Sequence, residues 1–186
     1  MEMGIITIIA AVIIIIASIV IANYNSLVRA RQRVKNAWSQ IEIQLQRRYD
    51  LIPNLTEIVK GYAKHESELL EDLTKLRHSW VNAGTISEKF TVEDKTKESL
   101  KSVMAVAERY PELKASQNFL ALQAELSEVE SKIAFSRQFF NDTVTMYNTK
   151  LETFPSNIFA RIFNFKTEIL YLAQSQEAKE NVKIQF

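Results

Sequence analysis

Residues 119–154 read FLALQAELSEVESKIAFSRQFFNDTVTMYNTKLETF, and large apolar side chains recur in this stretch at intervals of three, four or seven residues. Such a near-heptad stripe predicts one long amphipathic helix that needs a partner helix along its length. The partner is either an antiparallel helix of the same chain, as in a helical bundle, or a helix of a second subunit. The stripe consists of Phe119, Leu122, Leu126, Val129, Ile133, Phe140, Val144, Tyr147, Leu151 and Phe154.

Other parts of the chain show the same helical period. One stripe begins at residue 34, and another runs from Leu55 to Trp80. Only three Gly and three Pro occur among 186 residues, whereas a sheet-rich fold of this size needs many turns and therefore more of both. The first of these stripes consists of Val34, Trp38, Ile41, Leu45, Tyr49 and Ile52. We therefore expect long helices joined by few connections.

The N-terminal segment is strongly apolar. Residues 3–22 read MGIITIIAAVIIIIASIVIA, without a charge, and a helix of this length spans the roughly 30 Å hydrocarbon core of a bilayer. The run exceeds the ~7–15 apolar residues of a signal peptide, and Glu2 rather than a basic residue precedes it. We predict an uncleaved anchor and an all-α fold class, in which an N-terminal transmembrane helix continues into an antiparallel bundle of long helices.

A basic segment follows the apolar run. It contains Arg29, Arg31, Arg33 and Lys35, which we call the basic collar, and no acidic residue occurs between the run and Glu42. The positive-inside rule predicts a single-pass protein of the cell (inner) membrane, with the N-terminus outside and the bundle in the cytoplasm. The collar either sets this topology alone or also contacts anionic lipid headgroups. The lipid bilayer is therefore the first predicted partner.

Proline and glycine mark the predicted helix boundaries. Pro53 lacks an N–H, so we expect it to kink or end the first bundle helix, with Asn54 capping a second. Residues 82–84 are expected to end that helix, Thr91 to cap the third and Pro155 to end the fourth. The predicted organisation is an anchor (1–22), a long-helix bundle (23–155), and an apolar short helix with a C-terminal tail (156–186).

Two clusters are candidate interaction surfaces. Residues 47–54 either dock a partner at the predicted kink or hold the bend through an Arg47–Asp50 pair. The apolar residues after Pro155 either plug one end of the bundle, dip into the bilayer interface or bind a partner. The candidate residues are Arg47, Arg48, Tyr49, Asp50, Pro53 and Asn54 in the first cluster and Phe159, Phe163 and Phe165 in the second.

The sequence lacks the residue patterns that catalysis usually requires. It has no Cys; neither His65 nor His78 has a Glu three residues before it, and Leu69 stands where a zinc-protease helix beginning at His65 would need a second His. No two Gly lie near each other, as a phosphate loop requires. A formal net charge of +1 is too balanced for a general nucleic-acid binder. We predict no enzymatic activity, catalytic residue, metal, cofactor, small-molecule substrate or nucleic-acid partner.

Several motifs resemble the LemA family. The most specific is QLQRRYDLIPNL at residues 44–55, followed by KGYAKHE at 60–66. The resemblance covers nearly the whole chain and implies one N-terminal span, an antiparallel helical-bundle domain and no established enzymatic activity. Some members of that family are linked to building magnetosome membranes, and others are encoded near membrane-associated proteases. The other matching motifs are YNSLV at 24–28, AW at 37–38, YPELKA at 110–115, LQAEL at 122–126, YN at 147–148 and FPSN at 154–157.

The predicted function is a non-enzymatic, membrane-anchored helical scaffold or adaptor. Gly4, Ala11, Ser18 and Ala22 form a stripe of small residues on the span, which favours close helix approach and a homo-oligomer. A membrane-protein partner, such as a membrane protease, is also predicted. The alternative is a membrane-shaping or lipid-organising protein that uses the basic collar and the apolar C-terminal helix.

Overall fold

The computed structural model describes residues 2–171, and all regular secondary structure within them is helical. This confirms the predicted all-α fold class and its long apolar N-terminal helix. Residues 172–186 of the predicted C-terminal tail lie outside the described residues. In chain order the helices are α1 (Glu2–Tyr62), α2 (Ser67–Asn82), α3 (Ile86–Arg109), α4 (Pro111–Lys114), α5 (Gln117–Glu152) and α6 (Ser156–Ile162).

Helix α1 joins the apolar run to the first bundle stripe without interruption. Its apolar part is long and hydrophobic enough to cross a membrane, and none of it is buried inside the protein. This pattern is expected of a segment that lipid, rather than protein, covers. The prediction that the apolar segment continues into the bundle as one helix is confirmed.

Pro53 does not end α1, which continues through it to Tyr62. The predicted helix start at Asn54 is therefore wrong. A Pro inside a helix costs about 3 kcal/mol, whereas burying one aliphatic side chain contributes roughly 1.5–3 kcal/mol. Three such side chains are buried around Pro53, and their packing outweighs the local penalty: Ile52, Leu55 and Val59.

The cap of α3 also differs from the prediction. Thr85, not Thr91, is the N-cap: its hydroxyl accepts from the Glu88 N–H at 3.2 Å, and the Glu88 carboxylate accepts from the Thr85 N–H at 3.0 Å. This reciprocal pair is a capping box. The bonds from the N–H groups of Thr85 and Gly84 lower the pKa of Glu88, because they favour its charged form. The Thr91 hydroxyl instead donates to the Ser87 carbonyl inside α3.

The described residues form two compact units. Unit 1 comprises residues 2–41 and Ser136–Leu170, and unit 2 comprises Glu42–Phe135 and Tyr171. Both α1 and α5 therefore contribute residues to each unit. The domain boundaries predicted at residues 22 and 155 are not tested by this division and stay predictions.

In unit 1, the last part of α5 packs antiparallel on α1. Lys150 donates to the Ser26 hydroxyl, and further along the pair the Trp38 and Phe140 rings meet edge to face with centroids 5.9 Å apart. Residue numbers therefore rise along one helix as they fall along the other, which is the arrangement of neighbouring helices in a bundle.

In unit 2, α2 and α3 pack with the remaining parts of α1 and α5. The Tyr49 ring stacks on Trp80 of α2 at 5.0 Å, and its hydroxyl lies 3.0 Å from the Thr96 hydroxyl of α3. Arg47 of α1 contacts Glu125 of α5 at 3.2 Å. Three helices of the same chain thus surround this part of α1.

Two of the predicted apolar stripes face these interiors, whereas the stripe from Leu55 to Trp80 is divided between α1 and α2 and leaves Tyr62 exposed. Nine of the ten stripe residues predicted for residues 119–154 are buried, whereas Phe154, beyond the end of α5, is 75% exposed. All six residues of the stripe that begins at residue 34 are buried as well. The stripe of α5 is therefore covered by helices of its own chain, which is the first of the two arrangements that its sequence allowed.

Candidate functional site

The basic collar lies on α1 directly after the apolar run. At about 100° per residue, its two-residue spacing places Arg29 and Arg33 on one side of the helix and Arg31 and Lys35 on the other. All four side chains are exposed. The collar therefore presents positive charge on two sides of α1, and its contact with lipid headgroups stays a prediction.

Two of the three predicted tail aromatics pack on α1 beside the collar. The Phe163 ring meets the Tyr24 ring edge to face with centroids 4.8 Å apart, and the Phe165 ring lies 5.9 Å from the same tyrosine ring. The guanidinium carbon of Arg31 lies 5.1 Å from the centroid of the Phe165 ring, which is a cation–π distance. Phe159 is half-buried on α6. The tail aromatics are thus held where α1 leaves its apolar run.

The segment after α6 is pinned to α5, a feature absent from the sequence-based prediction. The Tyr147 hydroxyl donates to the Lys166 carbonyl at 2.9 Å, and the Asn148 side chain exchanges two bonds of 2.9 and 3.0 Å with the backbone of Glu168. Burial raises the pKa of Tyr147, Glu168 adds to the increase, and Arg31 opposes it. The Tyr147–Asn148 motif is visible in the sequence, but its backbone partners carry no sequence signal.

The first candidate cluster divides between surface and interior. Arg47 forms its ion pair with Glu125, and Asp50 accepts a 2.9 Å bond from the Gln46 amide. The expected Arg47–Asp50 pair is therefore wrong, because a facing helix supplies the carboxylate. Partner binding by the exposed members stays a prediction. The exposed members are Arg47, Asp50, Pro53 and Asn54, and the buried ones are Arg48 and Tyr49.

Arg48 is the centre of a buried ion cluster in unit 2. Its Nη1 donates to Glu93 at 3.0 Å and to Glu130 at 2.9 Å, and the side chains of Arg48 and Glu93 are completely buried. Burial alone lowers the pKa of a guanidinium, but the two carboxylates outweigh burial, so the pKa of Arg48 is raised and the group stays charged. Arg48 is thus an interior residue, in contrast to the docking role expected of it.

Two tyrosines extend this cluster. The Tyr171 hydroxyl donates to the carboxylate of Glu93, and the Tyr171 ring packs edge to face on Phe90 with centroids 3.9 Å apart. Burial raises the pKa of the Tyr49 hydroxyl, which Arg48 and the bond to Thr96 partly oppose. Because Arg48 and Glu93 are completely buried, the cluster determines how the helices of unit 2 pack.

Each unit also has an open groove. In unit 2, a groove of about 720 Å³ lies between α1 and α2 and carries Lys60, Lys64 and Lys75. In unit 1, a groove of about 530 Å³ lies between α1 and α5, with Phe139 and Met146 on its wall. Within residues 2–171, no group of three or more His, Cys, Asp or Glu side chains is arranged to hold a metal ion. Because both grooves are open to solvent, they are candidate binding surfaces.

Together, these features define a class of small helical protein that, within residues 2–171, has one segment able to cross a membrane and a buried ion cluster between packed helices. The model of the LemA family matches residues 37–186. The chain belongs to the LemA family.

Its relatives are similar at a moderate level of identity. Protein LemA of Metamycoplasma hominis is 28% identical over 155 residues, which cover 82% of this chain and 70% of the relative. Magnetosome protein MamQ 2 of Paramagnetospirillum magneticum and Magnetosome protein MamQ of Magnetospirillum gryphiswaldense are 24% and 23% identical. Both matches cover 77% of this chain but 62% of the magnetosome proteins, which is less than two thirds of their length. None of these names is that of an enzyme.

Proposed function

We propose that the protein is a non-enzymatic, membrane-anchored helical scaffold that self-associates and holds membrane-protein partners through its helix surfaces. The observation that carries the proposal is the groove of unit 1. Its floor includes Ala30 and Ala37, seven residues apart on α1, and its wall includes Phe139 and Met146 of α5. Small floor residues beside large apolar ones accept side chains of an incoming helix.

The exposure of the groove supports a protein ligand. Phe139 and Met146 are 52% and 67% exposed, although large apolar residues in a monomer are usually covered where they cluster. Arg33 and Lys150 lie beside them, and a polar rim around an apolar centre is typical of protein interfaces. A membrane anchor also confines copies to one plane, which raises their effective concentration.

The proposal is tested by crosslinking the full-length protein in native membranes. We expect the wild type to form dimers or larger products, and the double variant Phe139→Glu/Met146→Glu to lose about tenfold in crosslinked yield, which corresponds to 1.4 kcal/mol. Leu120→Glu is the matched control, because Leu120 is an exposed apolar residue of α5 outside the groove. The proposal would be contradicted if the wild type stayed monomeric and was crosslinked to no membrane protein, such as a membrane protease.

A second candidate function is the shaping or organising of lipid membranes. The exposed basic collar favours it, because each basic residue near an anionic surface contributes about 1 kcal/mol of attraction. Liposomes reconstituted with the full-length protein should change shape when they contain anionic lipid. Liposomes that keep their shape with and without anionic lipid would exclude this function.

A further inference from the structure

Helix α6 exposes an apolar face that no other described part of unit 1 covers. Ile158 and Ile162 are one helical turn apart and therefore lie on the same face. They are 48% and 66% exposed, and the flanking Phe154 and Phe163 are exposed as well. A short helix with this pattern needs a covering surface.

The position of α6 is determined by its contact with α1. Tyr24 lies two residues beyond Ala22, the last residue of the apolar run, and two residues of helix rise about 3 Å. The Phe163 ring, directly after α6, is in contact with the Tyr24 ring. If residues 3–22 cross a bilayer, the end of α6 lies at the level where α1 leaves the hydrocarbon core, since one contact joins them.

The charges between residues 153 and 167, which include α6, have one sign. No acidic residue occurs between Glu152 and Glu168, whereas Arg161 and Lys166 lie in that interval and are exposed. Arg31 of the basic collar reaches the same place, because it lies over the Phe165 ring. Apolar side chains bounded by basic ones are typical of helices that lie in the interface of an anionic bilayer.

We infer that α6 is a second membrane contact, which lies in the headgroup region of the bilayer that α1 crosses and takes anionic phospholipid as its ligand. A seven-residue helix buries too little surface to bind a bilayer by itself. Here the covalently connected span supplies a high effective concentration of bilayer, so a weak intrinsic affinity is enough. The chain is then attached to the membrane at two points, through α1 and through α6.

The test uses the absence of cysteine from the chain. A spin label is placed at Ile162→Cys in the full-length protein, reconstituted in vesicles of phosphatidylcholine with or without phosphatidylglycerol. Val81→Cys is the matched control, because Val81 is an apolar helix residue with the same 66% exposure. We measure how strongly oxygen, which concentrates in lipid, and a water-soluble nickel chelate each relax the label.

We expect the label at residue 162 to be relaxed more by oxygen and less by nickel than the label at residue 81. Removing phosphatidylglycerol or adding salt should reduce this contrast, because both weaken attraction to the basic residues. Equal nickel access at the two sites would overturn the inference, as would protection of residue 162 from both reagents, which indicates a protein cover. A contrast that is unchanged without phosphatidylglycerol would overturn the anionic ligand. None of these results bears on crosslinking through Phe139 and Met146.

Discussion

The two units use their arginines in opposite ways. In unit 2, Arg48 is completely buried and is held between two carboxylates. In unit 1, Arg31 is exposed and lies over an aromatic ring next to the apolar segment. A buried charge that must keep its partners specifies how helices pack, whereas an exposed one remains available to ligands. Substitution of the buried arginine in unit 2 is therefore expected to destabilise the fold. The exposed arginine in unit 1 is instead available to bind ligands.

The largest expected effect comes from the two adjacent arginines of unit 2. Arg48→Met should lower the free energy of unfolding by about 3–5 kcal/mol, because it leaves Glu93 buried without a counter-charge. Arg47→Met should cost less than about 1 kcal/mol, since the Arg47–Glu125 pair is nearly half exposed. Denaturant unfolding of the full chain in mild detergent, followed by circular dichroism, measures both.

Adding Glu93→Gln to Arg48→Met provides the control for this comparison. The second change removes the uncompensated charge and retains an acceptor for the Tyr171 hydroxyl, so part of the lost stability should return. Equal losses for the Arg47 and Arg48 single variants would contradict the contrast between buried and exposed arginine.

A smaller effect compares one buried tyrosine from each unit. Tyr49 in unit 2 and Tyr147 in unit 1 both have a raised pKa, so the folded state holds their protons more tightly than the unfolded state. The stability that they contribute is fully present below the unfolded pKa of about 10 and is lost as pH rises through the folded pKa. Stability should therefore fall in alkaline solution.

Phenylalanine variants separate the two tyrosines. Tyr147→Phe leaves the Lys166 carbonyl without its donor and should cost about 1–2 kcal/mol. Tyr49→Phe should cost about 1 kcal/mol, because Thr96 keeps a bond to the Val92 carbonyl. Each variant should make the alkaline decline of the unfolding free energy shallower. An unchanged decline in both would show that these hydroxyls do not titrate differently on folding.

The smallest expected effect is local to unit 2 and uses two threonines of the same helix region. Thr85→Ala removes the cap of α3 and should lower stability by about 1 kcal/mol. Thr91→Ala, at the position where the sequence-based cap was expected, should change stability by less than about 0.5 kcal/mol. Thermal unfolding of the two variants under identical conditions measures the difference, and the reverse order would restore the original assignment.

The repeating patterns of the sequence predict the helices well, because burial on one face of a helix leaves a period that can be counted. The stripes of α1 and α5 are examples. Helix boundaries are harder to predict, because two local preferences compete at each of them. Pro53 stays inside α1, since the packing of its neighbours outweighs the cost of a proline in a helix. Thr85 and Thr91 have the same capping chemistry, so residue type alone does not distinguish them. The pattern T-x-x-E at Thr85 and Glu88 is the signal that identifies the true cap.

The features of the candidate site differ in how far the sequence predicts them. The basic collar can be predicted from charge alone, and its side chains are exposed as expected. The buried role of Arg48 cannot be predicted from the sequence, because its partners Glu93 and Glu130 lie on other helices, 45 and 82 residues away. The same holds for the segment that Tyr147 and Asn148 hold, since its binding groups are backbone atoms that every residue possesses.

The division of the chain between the units also determines the order in which the units can fold during translation. Unit 2 draws almost wholly on the contiguous stretch Glu42–Phe135, so its helices can assemble as soon as that stretch has been translated. Unit 1 must pair residues 2–41 with Ser136–Leu170, which emerge roughly 5–20 s later at the usual 5–20 residues per second. During that interval Tyr24 and the collar lack their partners in the nascent polypeptide, and unit 1 can pair its two segments only after residues 42–135 of unit 2 have been made.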